Sequence, residues 1–514
     1  MTSTPSERGL SMVSGASSVG LSLTRLYSPV IPDGLSLFFQ SATNKYLSSL
    51  MIYDLKNQVE VFVSQGLNGS GDTQMMLSSM ELKANNLLKQ LDSSDSGRRL
   101  ISFGRELLPL VKWSMGFDRK RTFLLILQNA MEQRPTGGLI EKVGIAVVEE
   151  GKLLDISWTS PEDVDALLAG SEDSPQPIRS MLGESKLLFR DANWAIDGPT
   201  AAQQLKKMYE RATGRGIDGV VLFTTAGLED ILGMLGGGPN KEKLAFSGVD
   251  YISKVSNDLS DSLKAFPFLA IKGFLKGLEN ENIMVIPFDP TAARMASLQG
   301  IDGGIKKTPC PYQFRLPECA VNLVYVIDAN LGANKADYFI KKSRRISLVL
   351  DPLVSPSTVV DLEYLNTSSI DNPSSDYRGY VRVAIPLESV VQSAVVIENG
   401  QAVQMPIDNF VELGRHILGF GLNVPPGESK VIRITYASTA KIPVDRGVGG
   451  YVVNLKKQAG DSVLTEMEIK FPDGVTPISV YPQAKVAGNS LNFKLDMAKS
   501  SSVALEFAID DLFR

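Results

Sequence analysis

The chain has 514 residues, of which 43% are hydrophobic and 21% charged, a composition that excludes wholesale disorder. At this length we expect about two to four domains instead of a single core. The formal net charge of -5 excludes a general electrostatic attraction to nucleic acid or to an anionic membrane surface.

The sequence predicts no membrane helix in the N-terminal part of the chain. Residues 1–22 are rich in Ser, Thr and Gly and predict a disordered leader. Residues 23–121 show apolar positions at helical spacing and predict a small helical bundle. Because no run approaches the roughly 20 apolar residues of a membrane span, we expect that membrane attachment is not encoded in this chain.

Strands and helices alternate from residue 122 to residue 337. Continuous apolar runs at 123–127 and 219–223 are typical of strands buried on both faces. Helical patterns at 199–211 and 257–278 separate them from a further strand at 283–287. This alternation predicts a layered α/β core domain.

The two cysteines of the chain, Cys310 and Cys319, lie near the C-terminal end of this predicted core. Both lie beside prolines, and their spacing differs from C-x-x-C metal and redox motifs. We predict a local disulfide that contributes roughly 2–3 kcal/mol and implies an oxidising compartment. Two free, buried thiols are the alternative.

Beyond residue 337 the apolar period changes to two, as at Ile432, Ile434 and Tyr436. Short alternating runs with turns between them predict a β-sandwich over 338–440 and a second β-sandwich-like module over 441–514. The fold class is therefore multidomain α+β. His416, the one histidine of the chain, lies in this region without a paired Ser or Cys motif, so we interpret it as structural.

The segment Gln128-Asn129-Ala130-Met131-Glu132-Gln133-Arg134-Pro135-Thr136-Gly137-Gly138 is the most distinctive motif. Paired glycines allow close backbone approach or positive φ. Arg134 beside Glu132 suits an anion site, or an ion pair that locks the loop. Basic stretches elsewhere, such as Lys341-Lys342, fit solvated turns at strand ends.

This motif resembles the signature of the bacterial domain of unknown function 4012 family. Two further stretches, 190–197 and 328–338, are similar to the same family. The resemblance implies an extracytoplasmic protein of the cell envelope or surface, a place where family members face outward. It implies no particular reaction.

A second, fainter resemblance concerns the central core. Residues 193–199, followed by 217–221 and Gly236-Gly237, are similar to LytR–CpsA–Psr proteins. That family implies glycopolymer transfer from polyprenyl pyrophosphate, with arginines and an Mg²⁺-binding aspartate around the pyrophosphate. The family's upstream Pro-Arg-Asp-Thr motif is absent, since 156–165 contains no arginine.

The acidic cluster Asp328-Ala329-Asn330 with Asn334 and Asp337 offers oxygen ligands to Ca²⁺ or Mg²⁺. Its spacing differs from that of the twelve-residue calcium loop. Asn and Asp also cap helices and form turns, and that interpretation is favoured here. We therefore predict no metal site with assigned ligands, and Mg²⁺ is only the candidate cofactor.

Two functional hypotheses follow. In the first, the core binds or transfers a polyprenyl-linked envelope glycopolymer. In the second, the protein is non-catalytic and serves surface architecture or adhesion through its β modules, with surface proteins as partners; the sequence leaves open whether the chain is an enzyme. The candidate catalytic residues are Arg134, Arg190, Asp191 and Asp197, and the candidate ligand-binding residues are Glu132, Arg134, Gly137 and Gly138.

Overall fold

The computed structural model describes residues 75, 78–79, 81–82, 85 and 108–509, except 169, 171, 235, 247, 266, 307–309, 312–313, 353, 370–375, 399 and 440. The predicted leader and most of the predicted helical bundle lie outside these residues. The described chain combines helices with three sheets and is rich in strands toward its C-terminus, which confirms the α+β class. Among the described helices, none combines the length and the apolar character that a membrane span requires.

The chain divides into two compact units. The first comprises residues 1–128, 140–170 and 198–304, and the second comprises 129–139, 171–197 and 305–514. This differs from the predicted boundary at 337/338, because the strand that ends at Asn330 pairs with strands of the second unit.

The first unit is built on a five-stranded sheet in the order β3-β2-β1-β4-β5. Strand β1 runs parallel to β4, whereas β5 is antiparallel to β4. Both β1 and β4 are almost entirely buried, as their continuous apolar runs predicted. The strands are β1 (Arg121–Asn129), β2 (Leu139–Glu149), β3 (Lys152–Thr159), β4 (Gly219–Thr224) and β5 (Ile283–Pro287).

Helices connect these strands and pack on them. The side chain of Thr224 caps α4 by accepting from the Gly227 N–H, and Asp289 caps α8 in the same way, as is usual for such residues at helix starts. The helices are α1 (Pro161–Leu167), α2 (Gln176–Leu182, in the second unit), α3 (Gly198–Thr213), α4 (Thr225–Gly233), α5 (Lys241–Phe246), α6 (Gly248–Ala265), α7 (Pro267–Glu279) and α8 (Pro290–Gln299).

The second unit is a sandwich of two eight-stranded sheets. Sheet II has the order β12-β13-β9-β6-β16-β21-β18 with β15 paired to β16, and sheet III has the order β11-β10-β14-β8-β7-β17-β20-β19. Its strands are β6 (Ala320–Asn330), β7 (Ile340–Val349), β8 (Ser357–Asn366), β9 (Tyr377–Pro386), β10 (Ser389–Glu398), β11 (Gln401–Gln404), β12 (Asp408–Glu412), β13 (Arg415–Val424), β14 (Ser429–Ser438), β15 (Val444–Asp445), β16 (Val448–Lys456), β17 (Leu464–Lys470), β18 (Val475–Tyr481), β19 (Lys485–Ala487), β20 (Ser490–Leu495) and β21 (Ser501–Ile509).

One continuous core lies between sheets II and III. Inward-facing residues of both contribute to it, among them Val326 and Val453 from sheet II and Val360 and Ile469 from sheet III. The two predicted sandwiches are therefore interleaved, since β16 pairs in parallel with β6 and β17 in parallel with β7. Such parallel pairings join distant segments, and alternation within each strand does not reveal them.

Candidate functional site

The Gln-Asn…Gly-Gly motif forms a loop of the second unit after β1. The Gly137 N–H donates to the Arg134 carbonyl (2.9 Å), and the Leu139 N–H donates to the Glu132 carbonyl (2.8 Å). Gly137 and Gly138 have φ values of 126° and 144°, which confirms that the loop requires glycine there. A Cβ on Gly138 would lie 2.3 Å from the Asn129 carbonyl, so the close approach also demands glycine.

Arg134 is sealed inside the second unit, with 1% of its surface exposed. Its Nε donates to Asp191 Oδ1 (2.6 Å) and its Nη2 to Glu132 Oε1 (3.1 Å). Its Nη1 donates to the Gln133 carbonyl (3.1 Å) and to the Asn330 carbonyl. All three nitrogens of the guanidinium therefore have protein acceptors.

Electrostatics keep this arginine charged. Burial alone would lower the pKa of Arg134, but the neighbouring charges of Asp191 and Glu132 offset the desolvation and raise the pKa above its ordinary value. Removal of one partner of such a buried ion pair leaves a charge that is poorly compensated.

Two further cations and three carboxylates meet around this arginine. Arg190 Nε lies 3.5 Å from Asp191 Oδ2, and Arg190 also pairs with Glu184. Lys335 Nζ lies 3.3 Å from Glu132 Oε2. The structure thus brings together four of the candidate residues: Glu132, Arg134, Arg190 and Asp191.

Asp197 is the remaining candidate catalytic residue. It is buried, with 9% of its surface exposed, and follows Asp191 by six positions. The contacts that define the arginine cluster do not include it.

Gln458 connects the motif to sheet II by hydrogen bonds. This residue was not identified from the sequence. Its Nε2 donates to the carbonyls of Arg134 (3.0 Å) and Asp328 (2.8 Å). The Gln133 side chain donates to the neighbouring Ala459 carbonyl (2.8 Å). Gln458 and Ala459 lie more than 300 residues from Arg134 and Gln133 in sequence, so no local pattern could have indicated these contacts.

The Asn and Asp residues at 328–337 shape a turn. Asn330 Oδ1 accepts from the Gly332 N–H (2.9 Å), and Asn334 Oδ1 accepts from the Ala336 N–H (3.1 Å). Asn330 Nδ2 also donates to Asp337 Oδ2 (3.0 Å). In the part of the chain that the structure describes, no group of three or more His, Cys, Asp and Glu residues is arranged to hold a metal ion.

Lys342 was expected in a solvated turn, and that expectation is wrong. It lies on the inward face of β7, where only 9% of its side chain is exposed. Three aspartates surround its ammonium: Nζ lies 2.9 Å from Asp461 Oδ2, 3.2 Å from Asp328 Oδ2 and 3.7 Å from Asp337 Oδ1. The alternation of β7 carries the lysine inward, because Ile346 and Leu348 occupy the same face.

The predicted disulfide between Cys310 and Cys319 is confirmed, with the two Cα atoms 5.2 Å apart. The cysteines pack beside Phe314, Val452 and Ala504 of the second unit. A disulfide at this position is compatible with an oxidising compartment outside the cytoplasm.

His416 lies on β13 with both ring nitrogens engaged. Its Nδ1 lies 3.1 Å from the Ser389 carbonyl, and its Nε2 contacts the Asn409 side chain. These partners hold the ring between neighbouring strands, in keeping with its interpretation as structural.

The outer face of sheet III carries an open depression of about 570 Å³. Arg433 spans it toward Asp361 with two hydrogen bonds, Nε to Oδ1 (2.7 Å) and Nη2 to Oδ2 (2.8 Å). Ser343 Oγ donates to Glu363 Oε2 (2.8 Å) on the same face. Further lining residues are Arg344, Arg345, Ile397, Val431, Leu464 and Glu466.

Comparisons with solved structures give weak likenesses. A putative nutrient binding protein from Legionella pneumophila is 13% identical over 37% of this chain and 72% of its own, with a TM-score of 0.26. An M1 zinc metallopeptidase from Deinococcus radiodurans is 11% identical over 33% of this chain and 42% of its own, with a TM-score of 0.20. The transcriptional regulator yvhJ from Bacillus subtilis is 16% identical over 37% and 78%, with a TM-score of 0.19.

Comparison with family models is more specific. No curated protein matches the chain significantly. The model of the family described as "Protein of unknown function (DUF4012)" matches residues 118–240. This range contains the Gln-Asn…Gly-Gly loop and the Arg190-Asp191 pair. The match supports a relationship to the DUF4012 family over this range, which is about a quarter of the chain.

Proposed function

We propose that the protein is a non-catalytic protein of the cell envelope that binds an envelope glycopolymer through the outer face of sheet III. The depression on that face carries the proposal, because it combines exposed hydrogen-bonding side chains with an open shape. Paired Arg433 and Asp361, with Ser343 and Glu363 beside them, offer the donors and acceptors that sugar hydroxyls require.

The burial of Arg134 supports a non-catalytic role. A pyrophosphate-binding arginine must offer free N–H groups to the phosphate oxygens. Here each nitrogen of Arg134 already has a protein acceptor, and the side chain is 2% exposed. The cluster therefore serves as a lock for the loop and not as an anion site.

The disulfide supports a location in the cell envelope, outside the reducing cytosol. Disulfides persist in secreted and surface proteins and are rare in the cytosol. Trapping with a membrane-permeant alkylating agent before lysis tests this directly: we expect Cys310 and Cys319 to escape alkylation in intact cells. Alkylation of both thiols under these conditions would place the protein in a reducing compartment.

Binding is tested by sedimenting the full chain with purified cell-wall polysaccharide of its host. We expect saturable binding that the double change Arg433→Ala and Asp361→Ala weakens by about tenfold, equivalent to about 1.4 kcal/mol. The matched control is Lys186→Ala, which removes an exposed ion pair with Asp173 in the same unit but away from sheet III.

Two results would contradict the proposal. One is an absence of saturable binding by the wild-type protein. The other is an equal loss of binding in the control and the double variant, because the depression would then have no special role.

A further inference from the structure

The ammonium of Lys342 and the carboxylate of Asp328 are in contact inside the sandwich. Lys342 belongs to β7 of sheet III and Asp328 to β6 of sheet II. Nζ of the lysine is 3.2 Å from Asp328 Oδ2, and the aspartate has no exposed side-chain surface. A covalent bond between them would link the two sheets.

The surroundings of this pair are unusual for a plain ion pair. Three carboxylates share one ammonium, although burying charge costs free energy that only complete pairing offsets. Apart from the Lys342 ammonium, at 3.2 Å and 3.7 Å, no described residue offers a hydrogen-bond donor to Asp328 Oδ2 or Asp337 Oδ1. Buried polar atoms without donors call for a specific explanation.

We propose that Lys342 and Asp328 form an intramolecular isopeptide bond, with Asp337 as the proton carrier of the reaction. The bond joins Lys342 Nζ to the side-chain carboxyl carbon of Asp328. It would convert the sandwich interior from an ion cluster into a covalent cross-link.

The reaction balances without an external reagent. A proton passes from the lysine ammonium to the Asp328 carboxylate, which leaves a neutral amine beside a neutral acid. The amine then attacks the carboxyl carbon. Asp337 accepts a proton from the nitrogen and donates a proton to the departing hydroxyl. One C–N bond forms, one C–O bond breaks, and one water molecule leaves.

Asp328 is the electrophile, and a hydrogen bond to its oxygen Oδ1 holds it in position. The hydroxyl of Tyr364 donates to Asp328 Oδ1 (2.7 Å) and would stabilise the negative charge that develops there during attack. Oδ2 faces Lys342 without another hydrogen-bond donor from the described residues and is therefore the oxygen that leaves.

Asp461 is the less suitable acceptor of the amine. It lies closer to Nζ, at 2.9 Å, but 20% of its side chain is exposed. Its Oδ1 accepts from the Ser462 N–H (2.8 Å). Exclusion of water favours amide formation, and this condition is met at Asp328 and not at Asp461.

Asp337 is suited to carry the proton because burial penalises its charged form. Desolvation raises its pKa to about 6, although Lys342 acts in the opposite direction. A carboxyl group that titrates near neutral pH can both accept and donate a proton during the reaction.

Mass spectrometry of the full chain after reduction and alkylation tests the proposal. We expect the wild-type mass to fall short of the sequence mass by one water molecule, and Lys342→Arg, which keeps the charge without a primary amine, to have its full mass. Trypsin should release residues 316–335 joined to residues 342–344.

Three outcomes would overturn the assignment. A wild-type chain of full mass excludes the bond. Residues 342–344 joined to 458–470 would make Asp461 the acceptor. Complete water loss in Asp337→Asn would remove Asp337 as the proton carrier. Since the wild-type measurement stands alone, a variant that fails to fold leaves the test intact.

Discussion

Burial of the Arg134 guanidinium costs free energy that its carboxylate partners offset. Glu132 and Asp191 lie within 3.1 Å of its nitrogens, so removal of the arginine leaves two buried carboxylates with only the longer ion pairs to Lys335 (3.3 Å) and Arg190 (3.5 Å). Uncompensated buried charge is among the most destabilising changes in proteins.

We therefore expect Arg134→Ala to lower the free energy of unfolding by about 3–5 kcal/mol. The matched control is Arg190→Ala: this side chain is 38% exposed, and its loss should change the free energy by less than about 1 kcal/mol. Urea denaturation followed by circular dichroism measures both. Equal stability of the two variants would show that Arg134 is not a structural lock.

Asp337 makes stability depend on pH. Burial raises its pKa from 3.8 to about 6 in the folded state, so the folded chain binds this proton more tightly than the unfolded chain. The stabilising contribution is complete below the unfolded pKa and is lost as pH rises through about 6. Amide formation would remove both the charge of Lys342, which lowers this pKa, and the charge of Asp328, which raises it; desolvation, the largest cause, would still give the same sign.

Replacement of Asp337 by Asn should remove that dependence. Between about pH 4 and pH 7, the stability of Asp337→Asn relative to wild type should increase by about 2.4 kcal/mol, since one pKa unit is worth about 1.36 kcal/mol and the unfolded carboxyl is already partly ionised at pH 4. Denaturation at a series of pH values measures the difference. A constant or a falling difference would show that Asp337 is not protonated preferentially in the folded state.

Residues close in sequence were predictable, whereas distant partners were not. The pairing of Arg134 with Glu132 was one of two interpretations of the motif, and the positive φ of Gly137 and Gly138 followed from their type. No local pattern indicated that Asp191, 57 positions away, would be the closest carboxylate to Arg134. Lys342 was wrongly predicted to lie in a solvated turn. A pair of basic residues is typical of such a turn, and the sequence alone does not show which face of a strand each residue occupies.

At the scale of the single element, close packing of Gly138 against β1 fixes the position of the Gln-Asn…Gly-Gly loop. Gly138 leaves no room for a Cβ beside Asn129 and has a φ of 144°. Gly138→Ala should therefore lower the free energy of unfolding by about 3 kcal/mol. Gly421→Ala on β13 is the control, because no atom lies within 4 Å of its Cβ position. If Gly138→Ala is as stable as this control in urea denaturation, the loop can relax around the added methyl.

The disulfide stabilises the segment before β6. Nine positions separate the two cysteines, and the loop-closure relation gives about 3 kcal/mol for a ring of this size. Reduction of the wild-type protein should lower its free energy of unfolding by that amount, while Cys310→Ser should not respond to reductant. Unchanged unfolding of the wild type in reductant would contradict this contribution.

Strand type was easier to predict than strand partner. The buried runs of β1 and β4 follow from local pattern. Strand β3 was missed because its burial is irregular. The division into two sandwiches did not anticipate that β16 and β17 pair in parallel with β6 and β7, since such pairings depend on the whole fold.

At the scale of the whole molecule, each compact unit has its own sheet system. The second unit holds the sealed arginine cluster, the Lys342 cluster and the depression on sheet III. Its arrangement suits a durable binding module: buried charge and a disulfide stabilise the interior, while hydrogen-bonding side chains remain available outside. This arrangement is the basis on which we propose a non-catalytic role in the cell envelope.

The central claim is that the arginine cluster is structural and does not bind pyrophosphate. Titration of the folded wild-type chain and of Arg190→Ala with a polyprenyl pyrophosphate, with and without Mg²⁺, tests it most directly. We predict no saturable binding in either protein under either condition. Saturable binding to the wild type that Arg190→Ala weakens would contradict the claim and would return the cluster to the role of an anion site.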